Sequence, residues 1–301
     1  MPLGLPDSSS LLADAMVGGS RAGWPATADS DADIRFTDAQ IADFTARFGD
    51  SAAIAVVGLD GEAPQFVGDV RTPFAMSTAK LLVVAALLGQ VGGPANLTED
   101  ERVMIADALA ASDNDAAASL FTEIETARGS LDAAIAALGE VLGAAGDAST
   151  QVVAADAYTV GETVWPLPTQ ASFLASVRRG CVLTPESQAF ILEQMGTVIP
   201  EQQWGLGAVG ASAFKGGWDY DDAGNAYVRQ VGVVTAPDGH DYAVALSARL
   251  PTMAGTGDEE WLDTAEIDPF DVDFARTQLL ADELAEWVTT NVSAAPPASS
   301  C

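Results

Sequence analysis

Helical hydrophobic patterns near both ends of the chain predict the outer helices of a fold. Thr37-Asp38-Ala39-Gln40 has the spacing of a capping box, and Ile41, Phe44 and Phe48 follow it at helical intervals, so a first helix is expected there. Asp273 to Asn291 is an amphipathic segment typical of a closing helix. The apolar residues available for its packing are Phe274, Leu279, Leu280, Leu284 and Trp287.

Short β-branched runs inside these helices predict strands. Ala52 to Leu59 is one such run, closed by the turn pair Asp60-Gly61, and Gln65 to Val67 is its expected hairpin partner. Three later runs, separated by Asp- and Gly-containing turns, predict an antiparallel meander. These runs are Ala211 to Trp218, Tyr227 to Thr235 and Tyr242 to Leu250.

The segment between the hairpin and the meander is helical. Ser77 to Val91 is apolar on every side after its first turn, which is typical of a buried central helix, and Ala-rich helical stretches continue to about residue 196. We therefore expect a mixed α/β fold, with an antiparallel sheet flanked by N- and C-terminal helices, plus an all-helical lobe. The expected division is a flexible arm (1–34), an α/β lobe (35–72 and 205–291), a helical lobe (73–204) and a flexible tail (292–301).

Charge and rare residues narrow the range of functions. The 301-residue chain has 13 Lys plus Arg against 43 Asp plus Glu, and its formal net charge of −30 disfavours nucleic acid and anionic lipid surfaces as partners. Its one histidine, His240, lies in a turn-like segment, so neither a Ser-His-Asp triad nor a His-rich metal site is expected, and no cofactor is predicted.

A disulfide bridge between the two cysteines, Cys181 and Cys301, is not expected. No segment has the pattern of a membrane span or of a signal peptide.

The first candidate for chemistry is Met76-Ser77-Thr78-Ala79-Lys80. Its spacing places Ser77 and Lys80 on one face at a helix start, where a partly neutral lysine can take the serine proton. The alternative is a surface lysine whose stem lies along the helix. The all-apolar helix that follows favours the catalytic interpretation, because burial of an unpaired charge is costly.

The second candidate, Ser112-Asp113-Asn114, separates two helical stretches. One interpretation is a helix cap, since Ser112 and Asp115 have capping-box spacing. In the other, Ser112 takes part in a proton relay and Asn114 binds a substrate carbonyl or Lys80.

The third candidate, Phe214-Lys215-Gly216-Gly217-Trp218, lies on a predicted strand. Glycines within a strand indicate a bulge or a place where a ligand approaches the backbone closely. Lys215 is either a cation at a cleft, which favours an anionic substrate, or a lysine that protects an edge strand.

In this order the three motifs resemble the Ser-x-x-Lys, Ser-Asp-Asn and Lys-Thr-Gly set of class A β-lactamases and penicillin-binding proteins. The resemblance extends from about residue 37 to residue 290, and the only two lysines of the chain occupy the two lysine positions of the set. The resemblance implies that the protein acts outside the cytoplasm and that it uses an acyl-enzyme mechanism. The implied roles are acylation of Ser77, proton transfer by Lys80 and Ser112, substrate orientation by Asn114, support of the relay by Lys215, and an oxyanion hole formed by the N–H groups of Ser77 and Trp218.

The chain also departs from this family. Gly216 stands where the family has a Thr or Ser whose hydroxyl helps to hold the β-lactam carboxylate; Arg229 either supplies that contact or faces solvent. No Glu-x-x-Leu-Asn segment precedes Lys215, and Glu162, the nearest candidate for the deacylating carboxylate, is otherwise a solvated loop residue. The candidate substrate-binding residues are therefore Asn114, Gly216, Gly217, Trp218 and Arg229.

The sequence thus predicts a serine acyl-transfer hydrolase that acts through a Ser77 acyl-enzyme on a small-molecule or peptide-like substrate, with an anionic group on that substrate and poor β-lactam turnover. Two alternatives stay open: a non-catalytic binding or cell-envelope scaffold with a decayed site, and a carboxylesterase on the same fold.

Overall fold

A computed structural model of the chain describes residues 36–59, 63–69, 74–221, 223–235, 239–253 and 269–292. Its centre is a five-stranded antiparallel sheet with the strand order β2-β1-β5-β4-β3. The strands are β1 (Ala52–Gly58), β2 (Gln65–Gly68), β3 (Ala213–Tyr220), β4 (Asn225–Thr235) and β5 (Asp241–Pro251). The hairpin and the meander are both present, which confirms the predicted antiparallel sheet; the turn pair at 60–61 lies outside the described residues.

Eight α-helices surround the sheet in the described ranges. They are α1 (Asp38–Phe48), α2 (Lys80–Val91), α3 (Glu99–Ala106), α4 (Asn114–Arg128), α5 (Leu131–Ala144), α6 (Leu167–Arg179), α7 (Pro185–Met195) and α8 (Pro269–Asn291). The predicted capping box at Thr37 begins α1, because its hydroxyl accepts from the Gln40 N–H while the Gln40 side chain accepts from the Thr37 N–H. No helix within these ranges is long and apolar enough to cross a membrane.

The sheet is covered on both faces, and the alternation along β1 shows how. Ile54 and Val56 belong to the apolar cluster that α1 and α8 complete, whereas Ala53, Ala55 and Val57 belong to the cluster formed with the helices between β2 and β3. Burial on both faces explains why this strand is a continuous apolar run rather than an alternating one.

Helix α2 crosses the second cluster as the sequence predicts. Every residue from Leu81 to Leu88 is buried, and a single 3-10 turn, Met76–Ala79, leads into the helix. The helix therefore anchors the preceding turn to the rigid interior of the molecule.

Three expectations about side chains are wrong. Ile41 on α1 and Leu279 on α8 are 40% and 64% exposed, so they point away from the sheet rather than into its core. Cys181 is disulfide-bonded, although no bridge was expected; Cys301 lies outside the described residues. The division into two lobes stays a prediction, and the proposed arm and nearly all of the tail fall outside the described ranges.

Candidate active site

Ser77 lies on the 3-10 turn that leads into α2, and two other segments hold this turn. On one side the Ala75 N–H donates to the Thr163 carbonyl over 2.7 Å. On the other side strand β3 comes so close that a Cβ on Gly217 would lie 2.8 Å from the Ser77 nitrogen. Met76 has φ +53°, a left-handed conformation that non-glycine residues adopt at an energetic cost. The serine is thus presented by a turn that its neighbours constrain.

The two lysines converge on the hydroxyl of Ser112. Lys215 Nζ lies 2.9 Å from Ser112 Oγ, and Lys80 Nζ lies 3.3 Å from the same atom. Lys80 also donates to the Ser112 carbonyl and to Asn114 Oδ1, the latter over 2.7 Å. Lys80 and Lys215 are only 7% and 1% exposed, which excludes both the surface-lysine and the edge-guard interpretations.

A left-handed backbone at Ser112 makes this convergence possible. Helix α3 continues into a π-helical turn, Asp107–Ala111, which ends at Ser112 with φ 62°. Asp113 caps α4 instead, since its carboxylate accepts from the Ala116 N–H over 2.7 Å. The suggestion that Ser112 and Asp115 form a capping box is therefore wrong, and the Ser112 hydroxyl faces the ammonium groups.

Burial changes the protonation of both lysines. It lowers the pKa of Lys80 to about 8, against the opposing effect of the nearby Asp113 carboxylate. Burial, and then repulsion from Lys80, lowers the pKa of Lys215 well below its usual value. The pKa of Lys80 is thus lowered mainly by desolvation rather than by the charge of the second lysine. A substantial fraction of Lys80 is therefore expected to be neutral near pH 8.

The hydroxyl of Ser77 makes no hydrogen bond to any residue in the described part of the chain. Lys80 meets three acceptors on the 112–114 segment, the number of N–H bonds in an ammonium group. Protonated Lys80 is therefore fully occupied by that segment, and loss of one proton leaves a lone pair available to another donor.

Ser77 opens onto a cleft of about 510 Å³. Of the predicted site residues, Asn114, Glu162 and Trp218 line it together with Ser77 and Lys80, whereas Ser112 and Lys215 lie outside its lining, beside Lys80. The remaining lining residues are Phe74, Met76, Ala79, Val83, Ala117, Ala157, Tyr158, Val160, Gly161, Asp219 and Tyr220.

Gly216 and Gly217 do not line the cleft. A Cβ on Gly216 would lie 3.1 Å from the ring of Trp204, so this position packs against that ring. A Cβ on Gly217 would lie 2.7 Å from that of Met76, so this glycine is needed for close packing of β3 on the serine turn. Their candidate role as direct substrate contacts is corrected accordingly.

Arg229 does not line the cleft either, and it does not face solvent. Its side chain is fully buried, and its guanidinium donates to the Phe74 carbonyl, to the Trp165 carbonyl over 2.8 Å and to Gln170 Oε1 over 2.7 Å. Burial lowers its pKa to about 10, at which it keeps its charge at neutral pH. Both interpretations of Arg229 are therefore wrong: it braces the segment before Ser77.

Several residues of the site carry no motif and were missed. Asp219 and Tyr220 directly follow the third motif on the same strand, so extension of the strand by two residues would have found them. Tyr158 lies on a loop and donates to Asp115 Oδ1 over 2.9 Å, a long-range contact that no local pattern reveals. Gln170, which joins Arg229 to the hydroxyl of Thr78, is equally distant in sequence.

Comparison with known proteins finds similarity in the fold and not in the sequence. No protein-family model and no curated protein sequence matches the chain. Among solved structures, the TLA-3 extended-spectrum β-lactamase superposes with a TM-score of 0.60 at 16% identity, over 84% of this chain and 96% of that one. PBP-A superposes with 0.57 at 18% identity over 84% and 94%, and a β-lactamase from Chitinophaga pinensis with 0.55 at 20% identity over 72% and 92%. The chain therefore has a β-lactamase/transpeptidase-like fold, as its motifs predict.

Proposed function

We propose that this protein is a serine acyl-transfer hydrolase that forms an acyl-enzyme on Ser77. The observation that carries the proposal is the meeting of two buried lysine amines on the Ser112 hydroxyl, beside a serine that opens onto a cleft. Two amines buried this close together are costly to keep charged, and lysines with a lowered pKa are typical of catalytic sites. The shared fold with β-lactamases and PBP-A gives additional support.

In the proposed reaction neutral Lys80 takes the proton of Ser77 as Oγ bonds to the acyl carbon. The N–H groups of Ser77 and Trp218 would stabilise the resulting oxyanion, and Gly217 allows the two backbones the approach that this requires. The bond to the leaving group then breaks. Lys80 returns its proton to Ser112 Oγ while the Ser112 hydroxyl gives its own proton to the leaving group. The amine of Lys215, 2.9 Å from Ser112 Oγ, keeps Ser112 oriented.

Water then hydrolyses the ester and restores Ser77. Glu162 lines the cleft at the end of the 3-10 turn Thr159–Glu162, and the preceding residue, Gly161, packs against Met76. Glu162 is therefore our candidate base for this step. The chain lacks the Glu-x-x-Leu-Asn segment, and we therefore expect slow turnover of β-lactams even where they acylate the serine.

Intact-mass analysis tests the proposal. The full chain is incubated with a fluorescent penicillin and, separately, with a fluorophosphonate that labels activated serines. We expect one adduct with at least one of these reagents, and none in Ser77→Ala. No adduct with either reagent, or an adduct that persists in Ser77→Ala, would overturn the proposal.

One observation favours a second candidate, a binding scaffold without catalysis. Among the described residues nothing donates to or accepts from the Ser77 hydroxyl, and protonated Lys80 is saturated elsewhere. Lys80→Arg distinguishes the two, because arginine keeps the charge but cannot act as a base. Labelling of the unmodified chain that is lost in Lys80→Arg would support the proposed function, whereas a scaffold should form no Ser77-dependent adduct in either protein. A carboxylesterase would instead turn over short p-nitrophenyl esters without labelling by penicillin.

A further inference from the structure

The two walls of the cleft meet the serine turn in the same way. Gly161 brings one wall against Met76, since a Cβ there would lie 3.2 Å from the Met76 carbonyl oxygen. Gly217 brings the other wall against the same residue. Beyond each glycine the chain continues into a carboxylate that lines the cleft, Glu162 on one wall and Asp219 on the other. Negative charge therefore lies on both sides of the reacting serine.

These two carboxylates have no counter-ion among the residues whose structure is described. Both side chains are exposed, and neither forms an ion pair with any residue that the structure describes. The two groups expected to bind a substrate carboxylate do not serve that role here. Gly216 has no hydroxyl, and the buried guanidinium of Arg229 is already engaged by protein acceptors. Within the described ranges, Lys80 is the one cation of the lining, and burial favours its neutral form.

Aromatic faces accompany the carboxylates. Trp218 and Tyr220 lie on the wall with Asp219, and Tyr158, which is 64% exposed, lies on the wall with Glu162. A hydrogen bond to Asp115 fixes Tyr158, and an edge-on contact with Trp204, at 6.4 Å between ring centroids, supports Trp218. Fixed aromatic rings beside unpaired carboxylates are a favourable environment for an alkylammonium group.

We propose that the acyl donor carries a positive charge, an alkylammonium or guanidinium group held between Glu162 and Asp219 and against the ring of Trp218 or Tyr158. This inference rests on the proposed function and replaces the anionic substrate that the sequence predicts. The net charge of −30 acts in the same direction, because it raises the local concentration of cations and repels anions.

Three p-nitrophenyl esters with the same three-methylene spacer test the charge preference. They are 4-(trimethylammonio)butanoate, its uncharged isostere 5,5-dimethylhexanoate, and glutarate as the anion. The measured quantity is kcat/KM, which for an acyl-enzyme reports only the steps up to acylation and so excludes any role of Glu162 in deacylation. We expect the cationic ester to exceed the neutral one by about tenfold at low salt, and this preference to shrink in 1 M NaCl.

Paired variants separate local charge from net charge. Glu162→Gln with Asp219→Asn should reduce the cationic-to-neutral ratio to about twofold or less, since both local carboxylates are removed. Asp132→Asn with Glu193→Gln changes the net charge equally at exposed positions outside the cleft lining and should leave the ratio unchanged. Comparison of ratios between proteins cancels the intrinsic reactivity of the esters.

The outcomes distinguish this inference from the proposed function. Equal rates for the three esters, or a preference for glutarate, would overturn the cationic donor while a Ser77 adduct would leave the acyl-enzyme intact. A ratio that falls equally in both paired variants would assign the preference to net charge and overturn the local site. Absence of any Ser77-dependent acylation by all three esters and by the two labelling reagents would overturn both proposals.

Discussion

Two different buried cations hold the two ends of the turn that carries Ser77. Lys80, at the helical end, contacts acceptors on one neighbouring segment. Arg229, at the other end, contacts the carbonyls of Phe74 and Trp165 and the side-chain amide of Gln170. Burial lowers the pKa of Lys80 to about 8 but that of Arg229 only to about 10. Near neutral pH the lysine can lose its proton and the arginine does not.

The comparison teaches that burial alone does not make a cation catalytic. A compact ammonium group loses its proton more readily when it is desolvated, whereas a planar guanidinium keeps its charge and donates hydrogen bonds to fixed acceptors. Arg229 therefore serves as a brace, and Lys80 serves as a base in the proposed reaction. Exchange of the two residue types should break this distinction in opposite ways.

The largest effect is expected from Lys80→Arg. Removal of the proposed acylation base should reduce the acylation rate by about 10² to 10⁴-fold, with little loss of charge in the site. Stopped-flow measurement of p-nitrophenol release from the ester series checks this. A loss of less than about fivefold would remove Lys80 from the chemistry.

Gly217→Ala tests the approach of β3 to the serine turn. The added Cβ would lie 2.7 Å from that of Met76, so the strand must move and the Trp218 N–H leaves the oxyanion position. We expect acylation to fall by about 10² to 10³-fold, the usual contribution of one such donor. Gly139→Ala is the matched control, since nothing lies within 4 Å of its Cβ position in the interior of α5. It should leave the rate unchanged.

The pH dependence of acylation gives the next effect. A base must be unprotonated to accept the serine proton, so kcat/KM should rise about tenfold per pH unit below pH 8 and level off above it. Initial rates of the neutral ester from pH 6 to 9.5 measure this limb. A flat profile below pH 8 would separate the reaction from the titration of Lys80.

Arg229→Lys should affect stability more than chemistry. A lysine lacks the planar fork with which the guanidinium reaches three separate acceptors, and each buried acceptor left unmet should cost about 1 to 3 kcal/mol. Arg128→Lys, in an exposed pair with Glu140 at 3.3 Å, is the control and should cost less than about 1 kcal/mol. Urea unfolding of both variants checks the difference. Equal urea midpoints for the two variants would contradict the stabilising role of Arg229.

Local sequence patterns were enough to predict the fold but not the hydrogen bonds of Arg229. The capping box at Thr37 and the apolar strands depend on neighbouring residues, so the sequence contains their signals directly. Arg229 sits on β4, which is buried on both faces, and the expected alternation of inward and outward positions is therefore absent. Its partners Trp165 and Gln170 lie about sixty residues away and follow no motif.

The candidate site divides in the same way. The sequence pointed to Ser77, Lys80, Ser112 and Lys215, whose residue types and spacing limit the possible chemistry. It did not indicate that the lysines would meet on Ser112 rather than on Ser77, because that depends on a left-handed residue after a π-turn. The anionic substrate predicted from the sequence stays a prediction. The cationic donor proposed above depends in part on where Arg229 points, which no local pattern indicates.

The titration of Lys80 itself tests the central claim most directly. The chain has two lysines, so protein labelled with lysine carrying ¹³C at Cε gives two side-chain signals, and Lys215→Met assigns the one that remains to Lys80. We predict that the Lys80 signal titrates with a pKa near 8. A Lys80 signal that titrates at about 10.5, the ordinary value, would contradict a buried lysine that acts as the base.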